Sequence, residues 1–161
     1  MTVSELMQYK GLVSWASQSS SYQFITWKDW QDFIFVLKDM TGIPFSLPTE
    51  AQWEYACRAG TTTAYYWGDS MNGGYAWYVS NSGSTAHEVG LKGANAWGLY
   101  DMVGNLQEWC ADWYSSTTYP RRFVRGGAFS AGAADCKYDS YCLNGVSPSS
   151  ANTTTGFRIA L

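Results

Sequence analysis

Clear helical periodicity falls in two places, residues 27–40 and 49–60, and this confinement limits the fold more than any other feature of the 161-residue chain. In the first stretch, WKDWQDFIFVLKDM, Trp30, Phe33, Ile34, Leu37 and Met40 recur at three- and four-residue steps with charged residues between them, and Gly42 supplies a stop. In the second, Thr49 is a capping residue, Glu50 sits in the first turn, AQWEYACRA follows and Gly60 closes the helix. From 61 to 125 short aromatic runs are punctuated by Gly, Asn, Ser and Asp, and no amphipathic period lasts three turns. That region is predicted to be turns, loops and a few short strands. RFVRGGAF at 122–129 and GFRIAL at 156–161 are predicted strands, with a loop held between them. A helical bundle is excluded; an α+β domain with much irregular loop is expected, and one domain over 1–161 is the natural size.

Nine Trp and twelve Tyr suit such a fold, because flat rings bury area without regular packing layers. The net charge of −3 and ten scattered basic residues argue against nucleic-acid binding, which needs clustered Lys and Arg to neutralise phosphates. No apolar run approaches the roughly 20 residues of a membrane span, and MTVSELMQYK is not followed by the apolar stretch of a signal peptide. Localisation is otherwise open, with display on a virion or cell surface through other means as one expectation.

Four cysteines, Cys57, Cys110, Cys136 and Cys142, lack CxxC spacing, so a zinc knuckle is not expected. Two readings stay open: a Cys110–Cys136 disulfide, or small buried hydrophobes. His87, the one histidine, sits in a polar stretch and reads as exposed, and no GxSxG elbow accompanies it. Glu50, Glu54 and Glu108 lie in helix-start or aromatic contexts, where capping or hydrogen bonding to Trp and backbone is their commoner role. No Gly-rich phosphate loop precedes a Lys-Ser or Lys-Thr pair.

The vocabulary changes at Arg125. The first 124 residues hold 25 Trp, Met, Gln and Glu; at that frequency the last 37 would hold about seven, and they hold none. Every residue of 130–155 except Lys137 can be encoded by a codon with two free bases and a pyrimidine third base. Such a codon never specifies Trp, Met, Gln, Glu or Lys. A segment randomised at the first two codon positions has this composition, and so does an ordinary Ser/Gly/Thr-rich loop.

LPTEAQWEYACRAGT at 47–61, GANAWGLYDMVGNLQEWCADWY at 93–114, RGG at 125–127 and GFR at 156–158 together resemble the formylglycine-generating (sulfatase-modifying factor) superfamily. The resemblance implies its C-type lectin-like fold, with two helices, short antiparallel strands and much loop. ITWKDWQDFIFVLKDMTG resembles the family's first helix, and TVSELMQY the segment after its first strand. Ser46 stands where the family usually has Arg, and Gln107 replaces a usual aromatic. Oxidases of the family bind copper through two cysteines five apart after RGG; here those places hold Ala131 and Cys136, and a lone thiolate does not make the two-coordinate site Cu(I) prefers. Cys142 lies six residues beyond Cys136, in the wrong direction. Related iron enzymes need three histidines. Neither copper nor iron is therefore expected, and a formylglycine-generating-enzyme-like oxidase or a degenerate member is the alternative. A structural calcium site is implied at Asp101, Gly104, Leu106 and Glu108, through two carboxylates and two carbonyls; the other reading is that the two carboxylates satisfy loop amides.

Within the superfamily, RGGAF at 125–129, Cys136 and the closing GFRIAL resemble the variable proteins of diversity-generating retroelements, whose hypervariable region is C-terminal. Adenine-directed mutagenesis accounts for the missing residue types, and Lys137 must then be framework. The resemblance implies a non-enzymatic binding protein with a variable region at about 128–155. Its contact surface is expected at Ser130, Ala131, Ala133, Asp135, Tyr138, Asp139, Ser140, Tyr141, Asn144 and Asn152, with a protein or glycan receptor as ligand. A structural domain of a larger assembly, such as a viral fibre tip, is a weaker reading.

Overall fold

A computed structural model describes residues 26–115, 117, 119–140, 145–151 and 153–161. Helix α1 spans Trp27–Thr41 and α2 spans Glu50–Arg58. Both begin with capping boxes: Thr26 accepts from the Asp29 amide while Asp29 returns to Thr26, and Thr49 and Gln52 do the same for α2. Gly42, at φ 70°, stops α1 as expected. For α2 the left-handed cap is Ala59, one residue earlier than predicted, with Gly60 following at φ 90°.

Strand β1 (Gln107–Ser115) lies at the centre of a three-stranded sheet, with β2 (Arg121–Arg125) antiparallel on one side and β3 (Thr155–Phe157) parallel on the other. The α+β class and the two helices hold; the departures are the parallel pairing of β3 and a nine-residue β1 inside the stretch expected to carry only short strands. Glu108, Trp109 and Cys110 are buried in succession because both faces of this central strand are covered. No alternation is left for the sequence to show. β2 stops at Arg125 because Gly126 and Gly127 take φ 94° and 71°. The carboxy-terminal run is strand only to Phe157, after which Ala160 bridges Ser46 through paired backbone bonds of 2.8 Å.

The sheet separates two cores. On one face α1 contributes Trp30, Phe33 and Ile34 against Trp109 and Val124, with Phe157 stacked on Trp30 at 3.7 Å. On the other, Trp53 and Cys57 of α2 pack with Tyr65, Tyr66, Met102, Cys110, Cys136 and Tyr138. Each large apolar side chain so buried contributes roughly 1.5–3 kcal/mol. The second core ties α2 and the irregular region to the segment that follows β2. No described helix is long and apolar enough to cross a membrane. TVSELMQY lies outside the described residues.

Candidate functional site

The segment after β2 is held almost entirely through its own main chain. The amide of Phe129 donates to the Asn105 carbonyl at 2.7 Å, and Ser82 Oγ donates to the Phe129 carbonyl at 2.8 Å. The Val79 amide donates to Ala131 O at 3.0 Å, Tyr65 Oη donates to Ala133 O at 2.6 Å, and the Tyr138 amide donates to Ala64 O at 3.5 Å. Arg125 Nη1 donates to Tyr138 O at 2.6 Å and to Ser140 O at 3.5 Å. These bonds do not depend on which side chains the segment carries. A 3-10 turn at Ala134–Cys136 brings Cys136 under the glycine pair, where a Cβ on Gly127 would lie 2.5 Å from its Sγ. Only glycine admits that approach.

Arg125 is the anchor of this arrangement. Its side chain is 1% exposed and pairs with Glu50 and, at 2.7 Å, with Glu54 of α2. Glu54 also takes Arg58 Nε at 2.8 Å, and the Arg58 guanidinium lies 4.3 Å from the centre of the Tyr138 ring. Two guanidinium groups and two carboxylates thus balance in charge, and the network touches the loop at one ring and two carbonyls. Buried ion pairs hold when good geometry and added hydrogen bonds offset desolvation, and here both terminal nitrogens of Arg125 find acceptors.

The expected contact residues divide on this geometry. Ser130, Asp135 and Asp139 are exposed, and Ser140, Ala131 and Ala133 are half-buried, the last two giving their carbonyls to the scaffold. Tyr138 is not a contact residue: it is 2% exposed, its ring is covered by Arg58, its hydroxyl meets Thr61 Oγ1 at 3.3 Å, and burial pushes its pKa up to about 12. Tyr141, Cys142, Asn144 and Asn152 lie outside the described residues. Lys137 is half-buried and its carbonyl accepts from the Ser140 amide at 3.1 Å. Ser130, Ala131, Asp135 and Ser140 line a small cleft of about 210 Å³ together with Arg125, Gly126, Gly127, Gln107 and Thr154. A larger hollow of about 530 Å³, lined by α1, residues from 89–108 and residues 156–159, is walled mainly by apolar groups.

Several expectations need correction. Cys57, Cys110 and Cys136 are free, buried thiols, so the Cys110–Cys136 disulfide does not form; Cys136 is committed to the space over Gly127. Burial raises all three thiols, Cys136 to about 12. With Ala131 in the other position, Cys136 does not fit a copper site. His87 is not free in solvent: its ring stacks on Trp77 at 3.7 Å, its Nε2 is 2.8 Å from Ser82 O, and its main chain is clasped by the Asn105 side chain at 2.9 and 3.1 Å. Glu50 and Glu54 pair with Arg125 instead of acting as simple helix-start caps, while Glu108 does accept from Trp53 Nε1, at 2.7 Å. Gln107 Nε2 donates to Thr155 Oγ1 at 2.7 Å, fastening β1 to β3.

Of the calcium quartet, both carboxylates have protein partners. Both Glu108 oxygens are engaged by Arg158, at 2.8 and 3.0 Å, besides the Trp53 bond. Asp101 Oδ2 accepts the Gly90 amide at 2.6 Å, and the Gly104 amide donates to Gly126 O at 2.8 Å. Leu106 packs its side chain against Gly156. A cation here would share the Glu108 carboxylate with a guanidinium. Among the described residues no group of three or more His, Cys, Asp or Glu is placed to hold a metal.

The sulfatase-modifying factor enzyme 1-like domain family matches residues 6–161. This chain belongs to that family. Within it, the formylglycine-generating enzyme of Streptomyces coelicolor is 32% identical over 149 residues, covering 71% of this chain and 46% of the relative. The inactive Cα-formylglycine-generating enzyme 2 of Bos taurus is 33% identical over 129 residues, covering 71% and 43%. The chain therefore spans about half the length of these relatives. Among solved structures, variable protein 1 of Treponema denticola superposes with a TM-score of 0.74 at 26% identity, covering 89% of this chain and 74% of its own. Catalytic and inactive members thus share this sulfatase-modifying-factor scaffold with a variable protein.

Proposed function

We propose that this protein is a non-enzymatic binding module whose surface after β2 is diversified by a retroelement to recognise a protein or glycan receptor. The observation that carries the reading is the division of labour in 128–140. Scaffold contacts run to main-chain atoms and to buried Cys136 and Tyr138, while Ser130, Asp135 and Asp139 point side chains outward. Exposed positions of this kind change with effects of about 0.5 kcal/mol or less, so specificity can be altered without refolding. The chain's likeness to a variable protein supports the reading, as does the absence of Trp, Met, Gln and Glu after Arg125. A catalytic reading lacks its reagent: Cys136 is a protonated, buried thiol with alanine in the place of its partner.

The test is the DNA around the gene. A second, near-identical copy of the segment encoding residues 128–161, differing only at adenines and lying beside a reverse transcriptase, is expected. A locus without such a copy overturns the diversified reading.

A further inference from the structure

Resting on that reading, we propose that the cleft after β2 receives a basic side chain, lysine or arginine, from a protein partner, with Asp135 as its counter-charge. The size of the cleft decides first. At about 210 Å³ it is smaller than the roughly 300–1,000 Å³ of sites that enclose a whole small molecule, so it suits one side chain presented by a macromolecule. Its lining includes the glycine pair that follows β2. Gly126 and Gly127 hold left-handed conformations, and a Cβ on either would meet the Trp53 ring or Cys136 Sγ, so this stretch of the lining keeps its backbone position whatever the exposed side chains of the loop.

Charge decides next. Arg125, which also lines the cleft, is already matched by Glu50 and Glu54, and Glu54 by Arg58, so that network adds little net field. Asp135 is different. Its Oδ2 takes only the Gly132 amide, at 3.2 Å, and among the described residues no Lys or Arg nitrogen lies within 4 Å of it or of exposed Asp139. Ser130 and Ser140 line the same cleft and carry hydroxyls of a kind that accepts from an ammonium or guanidinium. The cleft therefore offers acceptors and one unmatched negative charge.

The test uses the full chain, labelled with nitrogen-15, and a blocked Gly-Lys-Gly tripeptide, with the norleucine analogue as the uncharged comparator. The lysine peptide is expected to shift the amides of Gly132, Asp135 and Ser140 saturably, and more strongly than the norleucine peptide. Asp135→Asn, at an exposed position that leaves folding intact, is expected to weaken binding by roughly two- to fivefold, the range of an exposed ion pair, and added salt to weaken it further. Equal shifts from both peptides, undiminished binding by D135N, or no shifts at all would overturn the inference. A gene that has the adenine-differing second copy, with a cleft that ignores the lysine peptide, would keep the proposed function and lose this inference alone.

Discussion

Arg125 reaches out of β2 to donate a 2.6 Å hydrogen bond to the carbonyl of Tyr138, thirteen residues later, and so fixes the loop by an atom common to every residue type. The same guanidinium is held by Glu50 and Glu54 from α2, whose own position is set by the capping box at Thr49. A helix near the start of the domain thereby positions a loop near its end.

Removing this anchor exposes its weight. Arg125→Met takes the guanidinium from partly exposed Glu50 and Glu54, the latter keeping Arg58, and removes the bonds to the Tyr138 and Ser140 carbonyls; a loss of about 1–3 kcal/mol is expected from urea denaturation. Arg125→Lys restores charge but not the fork that reaches two carboxylates and a carbonyl together, and is expected to recover only part of the loss. Full recovery by lysine would show that the carbonyl contacts contribute nothing.

Two kinds of loop position should separate in stability measurements. Tyr138→Ala removes a buried ring and is expected to cost roughly 3–5 kcal/mol, whereas Tyr138→Phe loses only the contact with Thr61 and costs about 0.5–1.5 kcal/mol. Ser130→Ala, Asp135→Asn and Asp139→Asn are expected to stay within about 0.5 kcal/mol. Denaturant midpoints of the five variants decide it, and an Asp139 effect as large as that of Tyr138 would contradict the division.

Alkaline pH should destabilise the fold through its buried acids. Burial raises the Cys136 thiol from 9.0 to about 12 and the Tyr138 phenol from 10.0 to about 12, so the folded state binds these protons more tightly than the unfolded chain. Their contribution is complete below about pH 9 and is lost as pH rises toward 12. Melting temperature followed from pH 7 to 11 is expected to fall above about pH 9. In the same range native thiols should react with a disulfide reagent only as fast as the protein opens.

Calcium is expected to leave stability unchanged, because Arg158 and Trp53 already engage Glu108. A ligand that bound the native state would raise the melting temperature steadily with its concentration. Thermal melts across a calcium titration check this, and a concentration-dependent rise would restore the cation site. Glu108→Gln is expected to destabilise with or without calcium, since Arg158 then loses its partner.

Both helices could be read from the chain because periodicity, capping residues and a glycine stop are local properties: Thr49 bonds within three residues, and Gly42 needs only its own φ. The open character of 130–140 was likewise visible, in residue types that an irregular loop tolerates. What the chain concealed depends on partners far away in sequence. β1 shows no alternation because α1 and α2 cover its opposite faces, so Trp109 and Cys110 are both buried. Tyr138 is a residue type that serves equally at a contact surface and in a core, and only Arg58, Thr61 and Arg125, brought from α2, its following turn and β2, place it inside. Glu108 carries the composition of a cation ligand, yet Arg158, 50 residues later, claims it. Local backbone preference is determined by neighbouring residues; burial and charge pairing are decided by what the fold brings within a few ångströms.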